Sequence, residues 1–289
     1  MASVVDADQR SFTTLALVSG SICTLLAGLV VFLDRIDAPE HVLGLLRQLC
    51  TTAPHVTVDI VALVLASVPA IVIVLATVTA ISIKRHTDFI VEGLRDERLA
   101  SVPAALRDAA RDAGVRAKLV AIDCPDLLVF VHGWLRPHVV VSTAVLNGLS
   151  EDELVAVLAH EAHHVQRRDP LRSFIADVAA RSLVLFPVVR DLRDHFKLCT
   201  EVQADRRAIE RCGRASLAGA LLRFQHAPQL AGMPSMASQA QTRERLVRVL
   251  DPALPAPRLR LSMLRTSASI VVVCGLGLLS ALLVVLPQM

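Results

Sequence analysis

The chain has 289 residues, of which 54% are hydrophobic, and its mean hydropathy is +0.55. That composition is too apolar for an ordinary soluble domain and indicates a protein of the lipid bilayer. The formal net charge of +3 is small and gives no reason to expect a nucleic-acid partner. The six cysteines show neither a C-x-x-C pair nor a disulfide-scaffold spacing.

Two apolar stretches near the N-terminus, at about residues 12–33 and 58–83, are predicted to cross a bilayer as helices. Each is near the length of about 20 residues that a helix needs to span a hydrocarbon core. A signal peptide is the alternative for the first stretch, but the stretch is longer than a typical h-region of about 7–15 residues and no A-x-A site follows. Pro69 inside the second stretch predicts a kink.

Residues 86–113 predict a helix that stops before Gly114. Runs of β-branched and apolar residues then predict three short strands at 118–122, 127–131 and 138–142, divided by turn signals. We expect these strands to form a small antiparallel sheet.

Residues 150–169, SEDELVAVLAHEAHHVQRRD, predict an amphipathic helix that opens with an S-x-x-E capping box. Inside it, His160, Glu161 and His164 form the pattern H-E-x-x-H. Residues four apart lie on adjacent turns of one helix face, so both imidazoles can bind the same ion. The same geometry places Glu161 beside the ion rather than on it.

Zinc is the expected ion, because imidazoles suit it and three protein ligands leave a position for water. It lowers the pKa of a water from about 15.7 towards about 7, and Glu161 can take the proton. The alternative is a helix that carries its histidines by chance, which happens in about one protein in a hundred of this length. The capping box and the amphipathic pattern favour the metal site.

A third ligand is expected in residues 199–209, CTEVQADRRAI, which lie on a predicted helix over 191–212. Glu201 and Asp205 stand four residues apart there. One of them can bind the metal while the other accepts the free N–H of a metal-bound imidazole. Taken alone, the stretch is better explained as a solvated charged face, but its place downstream of H-E-x-x-H favours a ligand pair.

The apolar stretch at about 171–189 lies between the two metal-binding segments and is interrupted by Arg172, Asp177 and Arg181. A single crossing here would separate Glu201 from His160 by the membrane. We therefore expect a helix at the membrane interface, with its arginines reaching the head groups, or a segment that enters the bilayer and returns.

A last predicted span covers about 267–287. Basic residues are sparse in the connector 34–57 and frequent after Ile83, so the positive-inside rule places the following residues in the cytoplasm. The sequence thus predicts a multi-pass protein of the bacterial cell membrane. Its regions are an N-terminal membrane region at 1–83, a cytoplasmic domain at 84–257 and a C-terminal membrane region at 258–289.

These motifs together resemble the integral-membrane metallopeptidases of the BlaR/MecR antirepressor family and the related HtpX-type proteases. The family pattern is G-x-x-x-P before the metal helix, H-E-x-x-H-x-x-x-x-D on it and E-x-x-A-D after it. This sequence has all three parts, at 133–137, 160–169 and 201–205, and the resemblance covers about residues 84–250.

The resemblance implies a mainly α membrane protein with a cytoplasmic α+β zincin-like (gluzincin) metallopeptidase domain. It implies that His160, His164 and Glu201 bind Zn²⁺ and that Glu161 is the catalytic base. It further implies that Asp205 holds a zinc-bound histidine by its free ring N–H.

The accessory groups of such a peptidase are less defined. His195 and His226 are candidate donors to an oxyanion, although each is more simply explained as a surface histidine. Asp169 matches the family pattern as an anchor at the helix end. An edge strand of the sheet can pair with an extended substrate, and a purely structural sheet is the alternative.

Three functions fit these observations, and the first is our leading prediction. In this first function, the protein is a zinc metalloendopeptidase that acts in signal transduction and cleaves a cytoplasmic protein such as a helix-turn-helix repressor. The second is an HtpX-like protease that degrades misfolded membrane proteins, and the third is a non-catalytic membrane protein with a structural zinc. The position of Glu161 and the open coordination position argue against the third. The sequence leaves the oligomeric state open.

The best-known antirepressors carry an extracellular penicillin-binding sensor after their final span. No such domain follows residue 287 in this sequence. We therefore expect any signal to arrive through residues 34–57, through the spans or through a partner protein.

Overall fold

The structure is a computed structural model that describes residues 10–20, 56–225, 239–251, 253–255 and 257–285. The predicted span at 12–33 therefore lies outside the described residues beyond residue 20. The chain divides into two units. Unit 1 comprises Met1–Phe12, Ile81–Ile175 and His195–Arg258, and unit 2 comprises Thr13–Ala80, Ala176–Asp194 and Leu259–Met289.

The protein is mainly helical and contains one small sheet. In chain order they are α1 (residues 10–20), α2 (Val56–Gly93), α3 (Ala104–Ala113), β1 (Lys118–Ile122), β2 (Val129–His132), β3 (His138–Ser142), α4 (Thr143–Gly148), α5 (Glu151–Arg167), α6 (Asp169–Ser182), α7 (Val188–Cys212), α8 (Arg214–Gln225), α9 (Gln239–Leu250) and α10 (Met263–Val285).

Helix α2 carries the candidate membrane span of the described residues. By length and composition, Val68–Gly93 is apolar enough to cross a bilayer, and Pro69 lies inside the helix. A shorter apolar helix covers Met263–Val273 within α10. The stretches predicted as spans at 58–83 and 267–287 thus coincide with helices as far as residue 285, whereas the number of spans and the cytoplasmic side remain predictions.

The predicted helix over 86–113 is wrong in its middle part. Residues 94–103 are not helical, and residues 97–99 run along the outer edge of β1, where the amide of Leu99 donates to the carbonyl oxygen of Ala121 over 2.9 Å. There are two physical reasons: the backbone of residues 97–99 pairs with β1, and Pro103 lacks an amide proton and disfavours helical backbone in the residue before it. The helix therefore restarts only after this proline.

The sheet is mixed, so the prediction of an antiparallel sheet is wrong for one of its two pairings. Strand β3 lies in the centre, parallel to β1 and antiparallel to β2. A short turn between β2 and β3, with Gly133 at φ +97°, permits only the antiparallel pairing there. The longer connection from β1 to β2 leaves room for β3 between them. Ser142 holds that connection by accepting from the amide of Leu128 and donating to the carbonyl of Asp126.

The two faces of the sheet pack differently because successive residues of a strand point to opposite sides. One face joins α5 and α8 in the main hydrophobic core, which includes Val129, Val139, Val157, Leu158, Leu217 and Leu221. The other face carries a smaller cluster, in which Ile122, Phe130 and Val140 meet Val91 at the end of α2 and Leu94 just after it.

In unit 2, the apolar stretch predicted as one helix at 171–189 is broken between α6 and α7. Helix α6 ends at Ser182 and α7 begins at Val188, immediately after Pro187. Near its start, α7 is tied to α10, since Asp191 accepts from the amide of Ser262 over 2.9 Å. The interfacial location of this stretch remains a prediction.

Candidate metal centre

The predicted helix over 150–169 is confirmed as α5, including its capping box. Ser150 Oγ accepts from the amide of Glu153 over 3.3 Å, and a Glu153 oxygen accepts from the amide of Ser150 over 2.8 Å. The helix ends at Arg168, whose φ of 55° is left-handed. The chain therefore turns sharply and returns Asp169 towards the last turn of α5.

The H-E-x-x-H pattern brings two imidazoles together on α5. The Nε2 atoms of His160 and His164 are 3.0 Å apart. His160 is 1% exposed, and the side chain of His164 is 12% exposed. Both rings thus meet in a nearly closed space.

Glu201 on α7 completes a cluster of three possible ligands. One of its oxygens lies 3.5 Å from Nε2 of His160, and the other lies 3.6 Å from Nε2 of His164. One ligand atom from each of the three residues lies within 4.8 Å of the others, and this is the one such group found among the described residues. Buried Glu201 Oε2 makes no hydrogen bond of good geometry, although Nη1 of Arg245 lies 3.1 Å from it.

The partners of the two rings decide where their lone pairs point. Asp205 Oδ1 lies 3.0 Å from Nδ1 of His160, and Asp169 Oδ2 lies 2.9 Å from Nδ1 of His164. A carboxylate accepts, so each Nδ1 carries the proton and each Nε2 of a neutral ring presents a lone pair.

Two lone pairs separated by 3.0 Å repel each other unless a cation lies between them. Tetrahedral zinc with bonds of about 2.0–2.1 Å to nitrogen holds its ligand atoms about 3.3 Å apart. The two nitrogen atoms are 3.0 Å apart, close to that value, and each has a different oxygen of Glu201 at 3.5 or 3.6 Å. The donor set therefore fits a zinc ion.

Electrostatics also favour a cation at this point. Burial lowers the pKa of His164, but the hydrogen bond to Asp169 and the charges of Glu201 and Glu161 outweigh it and raise that pKa to about 9. Burial raises the pKa of Glu201, but Arg245 and the two histidines outweigh it and lower that pKa. The groups around the two Nε2 atoms thus favour a positive charge at the position where a metal would bind.

Glu161 follows His160 on α5 and is only 4% exposed. Burial raises the pKa of its carboxyl group, and the positive charges of His160, His164 and Arg245 oppose the shift only in part. A carboxyl group with a raised pKa is suited to take up a proton and release it again.

Arg245 on α9 is a member of the site that was not predicted from the sequence. It is 1% exposed, and its guanidinium contacts both oxygens of Asp205 and lies 3.1 Å from Glu201 and 3.3 Å from Nδ1 of His160. The sequence did contain a pattern that indicates burial of this arginine, because Arg245 lies four residues before Val249 and shares its buried helix face.

The remaining histidines lie elsewhere. His163 lines a separate polar cavity on α5, and burial lowers its pKa to about 4. His195 contacts Cys199, with 3.5 Å between Nε2 and Sγ. His226 lies outside the described residues. His132 and His138 face the opposite side of the sheet from α5, where they line another cavity.

A helix with H-E-x-x-H beside a small sheet, with Glu201 from a second helix, is the arrangement of a metallopeptidase. The chain belongs to the BlaR1 peptidase M56 family, whose model matches residues 45–249. The predicted resemblance is thereby confirmed, and the class is that of the membrane-type metallopeptidases.

The chain is also similar to curated proteins named Protease HtpX. It is 36% identical over 84 residues to the protein of Vibrio cholerae serotype O1 (strain M66-2), which is 28% of this chain and 29% of that protein. It is 36% identical over 80 residues to that of Shewanella baltica (strain OS195), 27% and 28% of the two chains. It is 33% identical over 100 residues to that of Escherichia coli O1:K1 / APEC, 34% of each chain. The matched stretch thus spans no more than about a third of these relatives.

Proposed function

We propose that this protein is a membrane-bound zinc endopeptidase that hydrolyses peptide bonds in protein substrates. The observation that carries the proposal is the convergence of His160, His164 and Glu201, with the Nδ1 atom of each ring held by a carboxylate. These three residues would hold the ion. Bound zinc supplies a Lewis acid that polarises the scissile carbonyl and acidifies water.

The chain's own residues move the proton and keep the ligands aligned. Glu161 takes a proton from the attacking water and delivers it to the departing amine. Asp205 and Asp169 keep the imidazoles in the tautomer that turns Nε2 inward. Arg245 holds Asp205 in place and balances the negative charge of the site.

Strand β2 is the part of the fold that best suits an extended substrate. Among the described residues, its outer edge has no strand partner, whereas residues 97–99 run along the outer edge of β1. Strand β2 also shares the main core with the metal helix α5. A substrate backbone that pairs with β2 would be held beside that helix.

Two substrate classes are supported to the same degree by the relatives. Membership of the BlaR1 peptidase family supports cleavage of a cytoplasmic repressor, such as a helix-turn-helix protein, in a signalling pathway. Similarity to proteases named HtpX supports quality control of membrane proteins. In both cases the abundance of basic residues after Ile83 supports a catalytic domain on the cytoplasmic side of a bacterial membrane.

The deciding experiment compares new protein N-termini in cells that express the wild type or Glu161→Gln. This change removes the base and should leave the zinc content unchanged. Glu151→Gln is the matched control, because Glu151 is exposed in the first turn of the same helix.

If cleavage fragments of only one or two cytoplasmic regulators are missing in Glu161→Gln, the result would assign the signalling role. Loss of fragments from many membrane proteins would assign quality control. Identical profiles from zinc-loaded wild type and Glu161→Gln, under several stresses, would overturn the hydrolytic proposal in favour of a structural zinc.

A further inference from the structure

The sheet face turned away from α5 holds a cavity of about 210 Å³ that plays no part in the metal centre. Its floor is apolar and is built from two elements of unit 1. Strand residues Val120, Phe130 and Val140 form one side, and Val91 at the end of α2 and Leu94 just after it form the other. The floor can therefore bury a small apolar group.

The rim of this cavity is basic, and the strand register explains why. Lys118 of β1 pairs with His138 of β3, and His138 pairs with His132 of β2. Neighbouring strands lie about 4.8 Å apart, so these side chains form one row about 10 Å wide. Arg98, which bridges to β1 from its outer edge, lines the same cavity.

These cationic groups lack a matching acid within the described part of the chain. No lining residue is acidic, and neither Arg98 nor Lys118 forms an ion pair with a described residue. Asp88, the acid whose charge acts on His132, is bound to Lys84 at 2.5 Å. Burial lowers the pKa of His132, so its ring is neutral near pH 7 and offers an N–H donor. The cavity thus presents two positive charges and ring donors without counter-ions.

The position of the cavity near the end of α2 indicates which class of anion is available to bind there. Val91 lies on the helix that carries the candidate span, about 12 Å along it beyond residue 83, where the predicted span ends, and Leu94 directly follows the helix. Phe89 on the same helix end is 78% exposed, and Leu135 in the turn after His132 is 81% exposed. Exposed apolar side chains next to basic residues are typical of a surface at the head groups of a membrane.

We propose that this cavity binds the headgroup of an anionic membrane phospholipid. Its phosphate lies between Arg98, Lys118 and the two imidazoles, and the adjoining methylene groups lie on the floor beside Phe130. The proposal rests on the membrane location given under the proposed function and is independent of peptide hydrolysis. The same groups could also bind free inorganic phosphate. The test therefore distinguishes a lipid headgroup from free phosphate.

The test uses the full chain, purified in a neutral detergent and titrated with dioctanoyl phosphatidylglycerol. The protein has one tryptophan, Trp134, which follows His132 by two residues and reports binding by its emission, while native mass spectrometry counts retained lipids. The variant is Arg98→Gln combined with Lys118→Gln. The matched control is Arg107→Gln combined with Arg116→Gln, which removes the same charge from exposed positions.

We expect one saturably bound lipid per chain in the wild type and in the control, and at least tenfold weaker binding in Arg98→Gln/Lys118→Gln. Lys118→Arg should bind nearly as well as the wild type, because it keeps the charge. Glu161→Gln should also bind normally, which separates this result from a failure of the proposed peptidase.

Three results would overturn the proposal. Equal binding of zwitterionic dioctanoyl phosphatidylcholine would show an apolar cavity without headgroup recognition. Binding of inorganic phosphate as tight as that of the lipid would show a free-phosphate site. Charge-dependent binding of an oligoglutamate peptide, without binding of the lipid, would show a site for an acidic segment of a protein.

Discussion

Arg245 and Asp205 form a bidentate ion pair in the interior of unit 1. Arg245 Nε lies 2.9 Å from one carboxylate oxygen, and Nη2 lies 2.5 Å from the other. Asp205 also holds Nδ1 of His160, so the pair joins α9 to the candidate metal ligands. Charges buried this deeply are tolerated only when they are paired.

Replacing Arg245 by glutamine should destabilise the protein strongly. It would leave Asp205 and Glu201 buried without their cation, and breaking a buried pair costs about 3–5 kcal/mol. We expect that loss in the free energy of unfolding, measured by denaturant titration in detergent at fixed zinc concentration. Asp205→Asn added to Arg245→Gln should cost less than the sum of the single changes, because the two residues share one interaction.

The control for this series is Arg243→Gln, on the exposed side of the same helix. It should change the free energy of unfolding by less than about 0.5 kcal/mol. Equal effects of Arg243→Gln and Arg245→Gln would contradict the role assigned to the buried pair.

Asp169→Asn should weaken zinc binding while α5 stays folded. Asp169 accepts from Nδ1 of His164, and loss of such a partner typically costs a factor of about 10–100 in metal affinity. Competition with a chelating dye measures the affinity, and circular dichroism follows the helix content. Asp96→Asn, at an exposed position outside the site, is the control. An unchanged zinc affinity in Asp169→Asn would show that this hydrogen bond does not orient the ring.

Ser150→Ala tests the capping box of the metal helix. The serine satisfies the amide of Glu153, so its loss should lower the free energy of unfolding by about 1 kcal/mol. The zinc content should stay the same, since the ligands lie two turns or more further along the helix. Thermal unfolding of Ser150→Ala and of the exposed control Ser101→Ala measures the difference, and the same midpoint for both would refute it.

Gly133→Ala tests the turn that joins β2 to β3. Gly133 has φ +97°, and a Cβ atom there would lie 2.5 Å from the carbonyl oxygen of Arg136. Left-handed backbone alone costs a non-glycine residue about 1–2 kcal/mol, and the contact adds to it. We expect a lower unfolding midpoint and a shifted emission of the adjacent Trp134. Gly93→Ala, where a Cβ meets nothing within 4 Å, should show neither change.

The elements that were predicted correctly depend only on residues that lie close together in the sequence. Helix α5 and its cap follow from residues three and four positions apart. The left-handed conformation at Gly114 and Gly213 likewise follows from local backbone preference and ends α3 and α7. Such features need no knowledge of the rest of the chain.

The predicted elements that failed depend on partners distant in sequence. A single proline and the free edge of β1 removed residues 94–103 from a helix that periodicity favoured. The order of the strands could not be read from their composition, because β1 and β3 suit parallel and antiparallel pairing equally well. Only the connections in space decide between them.

The sequence by itself determined that a helix would carry His160, Glu161 and His164, and that a second helix would carry Glu201 and Asp205, since each pattern is local. Only the tertiary structure decided that Asp169 returns to His164, that Arg245 enters the site from α9, and that Lys118, His132 and His138 form one row. The physical reason is that burial and charge pairing are set by chain segments brought together on folding, and a helical or strand period in the sequence does not specify which segments meet.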